Sequence, residues 1–363
     1  MVFIVLIAAI AVAVIVYMQQ PKFGKAPRGE RLERIRQSPN FRDGSFQNIN
    51  PTPDLTDGAN LFSVLRDFIF RRDKRGVPSD SIPAVKRDLF NLPADENILV
   101  WFGHSSYFLQ LDGKKILVDP VLSGSASPLS FTTRSFKGSD VYTVDDIPPV
   151  DYLFISHDHY DHLDYPSAVR LRPKVGKVVC GLGVGAHLEY WGYPADQILE
   201  GDWNTGFDLD QGFRVTLTPA RHFSGRGFKR NGSLWVSFAL QTPSYRIFIG
   251  GDSGYDTHFA RIGGEFGPFD LAILECGQYN KSWKYIHMMP EQVLTAAEDL
   301  KARVLMPVHW GKFSLALHAW NDPILRVTAC CNQKQFPILT PLIGETVNLA
   351  DTLRPNPWWL KVK

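Results

Sequence analysis

Nine residues constrain this chain more than any others: Ser156-His157-Asp158-His159-Tyr160-Asp161-His162-Leu163-Asp164, which hold three of its ten histidines. The run before them, Asp151-Tyr152-Leu153-Phe154-Ile155, is apolar, aromatic and β-branched, and reads as a buried strand. Pro166 and Ser167-Ala168-Val169-Arg170-Leu171 follow and read as a helix with proline near its start. The histidines therefore fall on a strand-to-helix loop, where a rigid scaffold can present them. Imidazoles two residues apart, followed by an Asp-His pair, are donors that suit zinc. The bland reading, a solvated turn that happens to be rich in histidine, leaves this spacing unexplained.

Residues from Met1 to Met18 carry no charged side chain. A membrane-spanning helix needs about 17–25 apolar residues, so residues 1–20 are expected to form an uncleaved transmembrane anchor. A secretory signal is the rival, but a basic segment before the apolar run and a clear small-residue cleavage site after it are both missing. Lys22, Lys25, Arg28, Arg31, Arg34 and Arg36 come next, against Glu30 and Glu33. This asymmetry predicts a single-pass protein of the cell membrane whose catalytic domain faces the cytoplasm. The same flank could meet anionic head groups.

With 39 basic and 37 acidic residues the chain is close to neutral, and no basic stripe with interleaved aromatics argues for nucleic acid. Cys180, Cys276, Cys330 and Cys331 form no disulfide pattern, which fits a reducing compartment. Oligomeric state is not legible.

Residues 21–57 are expected as a basic flank and extended linker, and 58–96 as a helical extension. Within the latter, Leu61, Phe62, Leu65, Phe68 and Ile69 have helical spacing. That helix could be core, lid or bilayer-facing surface, and its pattern favours core. From residue 97 strands are expected at 98–102, 107–111, 115–118, 177–180, 213–218, 234–241, 246–250, 271–275 and 303–307, and helices near 184–191, 257–263 and 290–301. This density suggests two sheets with helices outside in one domain, 97–350, followed by a tail, 351–363.

Other donors stand just past strand ends. Strand 213–218 runs into His222, strand 246–250 into Gly250-Gly251-Asp252, and strand 303–307 into His309. Each alone would be an ordinary turn residue; beside the His-rich loop they become candidate metal ligands.

The ordered set His157, His159, Asp161, His162, His222, Asp252, His309 resembles the metallo-β-lactamase superfamily. Trp101-Phe102-Gly103-His104-Ser105-Ser106, Leu117-Val118-Asp119-Pro120, Gly251-Asp252-Ser253-Gly254-Tyr255 and His309-Trp310-Gly311-Lys312-Phe313 are most similar to the N-acylphosphatidylethanolamine-hydrolysing phospholipase D family, related to the ascorbate-6-phosphate lactonases. The resemblance implies an αββα sandwich with two Zn²⁺ at one edge. His157, His159 and His222 would hold one ion, Asp161, His162 and His309 the other, and Asp252 would bridge them. It implies that Asp119 orients a ligand imidazole and that Asp161, Asp252 and His287 form the catalytic group, with His287 polarising the substrate or protonating a leaving group. His287 could instead cap a helix. His104 reads as structural. Cys276-Gly277-Gln278-Tyr279 departs from the Ile-Gly-Ala-Tyr of the phospholipid-cleaving members, and Gln278 and Tyr279 are expected on the substrate side.

These expectations converge on a membrane-anchored zinc hydrolase, a phospholipase D-type phosphodiesterase in which metal-bound hydroxide attacks a phospholipid. The alternative is a lactonase or other carbonyl-directed hydrolase acting on a small soluble molecule. A binding protein without turnover would have no need of the full ligand set, and a di-iron redox pattern would place a carboxylate where His159 stands. Arg226, in the loop after His222, is expected to hold a phosphate with its guanidinium, unless that loop is a solvated basic turn.

Overall fold

The computed structural model describes residues 2–56, 58–210, 212–351 and 355–363. The N-terminal part contains helices α1 (Val2–Tyr17) and α2 (Gly29–Arg36), a small hairpin of strands β1 (Phe41–Arg42) and β2 (Ser45–Phe46), and helix α3 (Leu61–Phe70). The first half of the sandwich runs β3 (Ile98–Trp101), β4 (Tyr107–Leu111), β5 (Lys114–Val118), β6 (Val150–Ile155), α4 (Tyr165–Leu171), β7 (Val175–Gly181), α5 (Gly185–Tyr190) and β8 (Ile198–Gly201). The second runs β9 (Gly206–Asp210), β10 (Phe213–Thr218), β11 (Ser237–Gln241), β12 (Arg246–Ile249), α6 (His258–Glu265), β13 (Leu271–Glu275), α7 (Pro290–Asp299), β14 (Leu305–Val308), α8 (Asp322–Lys334) and β15 (Thr346–Asn348).

Side-chain alternation builds the layers. In β6, Tyr152 and Phe154 join the core between the sheets, whereas Leu153 and Ile155 join the core beneath α4 and α5. A strand buried on both faces reads as a continuous apolar run, as this one does. The seven-stranded sheet has the order β15-β3-β4-β5-β6-β7-β8, and the six-stranded sheet β14-β13-β12-β11-β10-β9. Phe154 meets Phe238 between them at 4.9 Å between ring centroids. Helices α6 and α7 cover the second sheet with Phe259, Ile262, Val293 and Leu294. The chain is thus the expected αββα sandwich.

Topology puts the chemistry at one edge. Strands β5 and β6 are parallel; in the other sheet β12, β13 and β14 are parallel, and β10 runs with them because it is two antiparallel steps from β12. Their C-terminal ends face the same way and carry Asp119, the His157–Asp164 loop, His222, Asp252 and His309. Ligand sites of open sheets gather at such ends.

The N-terminal part departs from expectation. Among the described residues no helix is long and apolar enough to cross a membrane. The 16 residues of α1 span about 24 Å, against a hydrocarbon core of about 30 Å, so the expected transmembrane anchor finds no support in the described residues. Residues 21–57 are not a free linker. Arg31 and Arg34 reach Glu200 Oε2 at 2.8 and 2.7 Å, while Glu200 Oε1 accepts from the backbone N–H groups of Gly183 and Gly185. Asn48 closes a reciprocal pair with the His222 backbone, 2.8 and 3.1 Å. Nor is α3 a core helix, since none of its residues is buried.

The C-terminal tail packs inward. Trp358 stacks on Trp310 at 5.1 Å, and Trp310 lies against Trp101 at 5.3 Å. Emptying this stack with Trp358→Ala should cost about 3–5 kcal/mol in urea unfolding, with the cavity left behind adding to lost transfer energy. An unchanged midpoint would show the tail to be dispensable.

Candidate metal centre

The loop after β6 is fixed from beneath. Asp119 Oδ1 accepts from the Ser156 N–H at 2.8 Å, and Asp119 Oδ2 accepts from Ser156 Oγ at 2.6 Å. The same Oδ2 lies 2.8 Å from His162 Nδ1. At the facing end of β12, Gly251 has φ +58° and a Cβ there would sit 2.8 Å from Ser156 Cβ. Only glycine lets the Asp252 turn come this close to the His-rich loop.

Each imidazole is aimed through its other nitrogen. His222 Nδ1 lies 2.8 Å from Ile286 O, His309 Nδ1 2.9 Å from Ser105 Oγ, and His157 Nδ1 3.0 Å from Ser156 Oγ. The Nε2 atoms of His157 and His222, with His159 Nδ1, face a common centre. His159 Nδ1 is 2.8 Å from His157 Nε2 and 3.2 Å from His222 Nε2. Tetrahedral zinc with Zn–N of about 2.0–2.1 Å sets its ligand nitrogens about 3.3 Å apart, close to this spacing.

A second group forms beside the first. Asp161 Oδ2 stands 3.6 Å from His162 Nε2 and 4.0 Å from His309 Nε2. Between the groups, Asp252 Oδ2 lies 3.2 Å from His162 Nε2, 3.7 Å from His222 Nε2 and 4.0 Å from His157 Nε2. All seven expected ligands therefore meet in two clusters with Asp252 between them.

The chemistry of this set fits cations. His162 Nε2 and Asp252 Oδ1 are buried with no hydrogen-bond partner among the described residues. Buried polar atoms left in that state are costly unless another group satisfies them. Burial, then repulsion from neighbouring histidines, holds His157 well below the usual imidazole range, so it offers a lone pair. Burial opposes ionisation of Asp161 and Asp252, but surrounding histidines win and hold both well below the usual carboxylate range.

Asp158 and Glu275 escaped sequence reasoning, and His104, read as structural, has a supporting place. His104 Nε2 lies 3.0 Å from Asp161 Oδ2 and positions that ligand. Asp158 accepts from the Gly225 N–H at 2.7 Å and Ser233 Oγ at 2.8 Å, so it shapes the 222–233 loop. Glu275, wholly buried, faces His287 Nδ1 at 3.1 Å and accepts from the Met288 N–H at 3.0 Å. Its signal was present: one carboxylate closing the otherwise apolar strand Leu271-Ala272-Ile273-Leu274-Glu275. Burial disfavours a charged His287, but Glu275, with Asp252 and Asp161 beyond it, outweighs that and holds its pKa above the usual imidazole range.

A cavity of about 540 Å³ opens on the cluster. Its floor is polar, with His159, Asp161, His222, Asp252, His287 and His309, and its walls include Leu55, Leu61, Val64, Phe68, Ile286 and Leu315. The expected substrate residues fare unequally. Gln278 lines the cavity, but its amide is occupied: Nε2 donates to the His309 and Phe313 carbonyls, and Oε1 accepts from the Leu315 N–H. Tyr279 points away, bonding to Asp322 and Arg326 of α8.

Arg226 is corrected from phosphate binder to loop clamp. It is buried, it lies outside the cavity lining, and its guanidinium donates to the carbonyls of Asp158 (2.8 Å), Leu163 (2.6 Å) and Lys22 (2.7 Å). Arg226→Ala should therefore lower stability in urea by about 2–4 kcal/mol by orphaning buried carbonyls. Intact stability with a selective loss of phosphodiester turnover would restore the phosphate role. Asp119→Ala should weaken zinc binding about 10- to 100-fold, read by competition with a chelating dye, because His162 loses the acceptor that orients it. Unchanged affinity would remove Asp119 from the centre.

Known proteins place this architecture. Residues 114–310 match the β-lactamase superfamily domain, over half of the chain. An uncharacterized protein of Mycobacterium tuberculosis is 39% identical over 89% of this chain and 88% of its own length. The N-acyl-phosphatidylethanolamine-hydrolyzing phospholipase D 1 of Caenorhabditis elegans is 30% identical over 75% of this chain and 80% of its own. Among solved structures, Igni18, a metallo hydrolase of Ignicoccus hospitalis, shares the fold with a TM-score of 0.55 at 23% identity, over 69% of this chain and 97% of Igni18. With the family match, the ligand clusters and the sandwich in agreement, this chain belongs to the β-lactamase superfamily and is a metal-dependent hydrolase.

Proposed function

We propose that the chain is a two-zinc phosphodiesterase of the phospholipase D type, acting on N-acylphosphatidylethanolamine-like lipids at the cytoplasmic face of the cell membrane. The observation that carries this reading is the cavity: apolar walls run directly onto a floor of metal donors. Such a shape suits an amphiphile whose scissile bond lies at the junction of acyl chain and charged head. The similarity to the worm phospholipase supports the same substrate class. Five imidazoles with two carboxylates favour zinc over harder cations.

When bound, two zinc ions would polarise phosphoryl oxygens and make water nucleophilic near neutral pH. Residues of the chain do the rest. Val64 and Phe68, half-buried in the cavity wall, hold the acyl part. His287 lines the same cavity and keeps a proton through Glu275, which engages Nδ1 and leaves Nε2 to deliver a proton to the departing alkoxide oxygen. Water's oxygen joins phosphorus as the bond to the ethanolamide oxygen breaks, giving phosphatidic acid and a fatty-acid ethanolamide.

The test is a substrate panel with purified, zinc-loaded protein. The lipid should be cleaved to those two products, and His287→Gln should slow it about 10²- to 10⁴-fold. A nitrophenyl diester, whose leaving group needs no proton, should lose far less. Rapid turnover of lactones with none of the lipid would replace this reading by the lactonase alternative.

A further inference from the structure

A second, polar chamber adjoins the cavity over the metal donors. It has a volume of about 360 Å³ and shares Asp54, His222 and Phe223 with its neighbour. Away from those three residues its lining reverses the apolar character of Leu55, Val64 and Phe68: Arg42, Gln47, Asn48, Asn50, Thr52 and Asn231 face it. The back of this annex is fixed because its polar groups are spent on the protein. Asn48 Oδ1 accepts from the His222 N–H at 3.1 Å and from Trp235 Nε1 at 3.0 Å, and its amide donates to His222 O. Asn50 Nδ2 donates to the Asp256 carboxylate, and Thr52 Oγ1 accepts from Arg221 Nε at 2.9 Å.

Other groups of the annex are open. Gln47 Nε2 donates to Ser45 Oγ and Asn231 Oδ1 accepts from the Ser224 N–H, but Gln47 Oε1 and Asn231 Nδ2 have no partner among the described residues. Asp54 pairs with Arg230 through Oδ2 at 2.6 Å and keeps Oδ1 open, and the Arg42 guanidinium is likewise unengaged. Two acceptors and two donors therefore face the annex, with one charge of each sign. An anion there would meet the Asp54 carboxylate, and a cation the Arg42 guanidinium. An acyl chain would strip water from all four groups and give no hydrogen bond in return. A hydroxyl both donates and accepts, so a neutral polyol satisfies the set. We infer that the annex holds the alcohol on the far side of the scissile phosphate as a glyceryl group with free hydroxyls. The preferred lipid then has a single chain, laid along Val64 and Phe68, and a glyceryl arm that turns past Phe223. This deepens the phospholipase reading and rests on it for the bond that breaks: water's oxygen joins phosphorus, the ethanolamide leaves with a proton, and glycerol phosphate remains.

The experiment titrates glycerol 3-phosphate and methyl phosphate into the zinc-loaded full chain by calorimetry, so that both ligands bring the same anion to the metal donors. Two or more new hydroxyl contacts should make glycerol 3-phosphate bind about 10-fold tighter. Gln47→Leu and Arg42→Leu, both on the surface near the small hairpin, should each narrow that gap. In mixed micelles the glyceryl phosphodiester of an N-acylethanolamine should be cleaved with a higher kcat/KM than its diacylated counterpart. Equal affinities for the two phosphates would overturn the inference, and so would a gap that survives both substitutions. Faster cleavage of the diacylated lipid would overturn the single-chain assignment and leave the phospholipase reading intact. Turnover of lactones alone, beside tighter binding of glycerol 3-phosphate that both substitutions weaken, would uphold the annex as a polyol site and remove the phospholipase reading.

Discussion

The chemical edge of this molecule depends on the Asp119 carboxylate at the end of β5. By accepting from the Ser156 N–H and hydroxyl it sets where the His-rich loop leaves β6, and by facing His162 Nδ1 it turns that ring toward Asp252 on the other sheet. Two sheets whose cores are built of interchangeable apolar residues are thereby registered at one point by groups that are not interchangeable. The glycine at 251 completes the registry, since any Cβ there would push Asp252 away from Ser156.

The cost of this arrangement is a dense set of buried titratable groups. His157, His162, His222, Asp252 and His309 are all almost wholly inaccessible to water. Imidazole nitrogens 2.8–3.2 Å apart, with the second nitrogens of His157 and His222 already engaged, gain little from one another. A cation between them reverses the balance, because every lone pair then has the same favourable partner. Metal binding would therefore be coupled to folding of this edge.

Much of this was legible in the chain itself, for a physical reason. Ligands on one loop, and donors immediately after apolar strands, are local patterns, and strand direction alone brings them together. The double-faced burial of β6 was visible in Tyr152–Ile155, where no polar residue interrupts the run. What could not be read depended on where a side chain turns or what lies opposite. Arg226 could face a phosphate or three carbonyls, and only the position of Lys22 decides it. Glu275 was hidden inside an apolar strand, and its partner His287 is twelve residues away across a loop. The apolar N-terminus was judged by composition, whereas crossing a bilayer is a matter of length, and among the described residues α1 has 16. The periodicity of α3 promised a core helix, but periodicity cannot say whether the facing apolar surface is protein or cavity.

The proposed centre is two cations held between the sheets by the named donors. Anomalous diffraction at the zinc edge, from crystals of protein purified in zinc, measures this directly. Two peaks should appear: one among His157 Nε2, His159 Nδ1 and His222 Nε2, the other among Asp161, His162 Nε2 and His309 Nε2, both within bonding distance of Asp252. One peak only, or peaks away from these atoms, would contradict it.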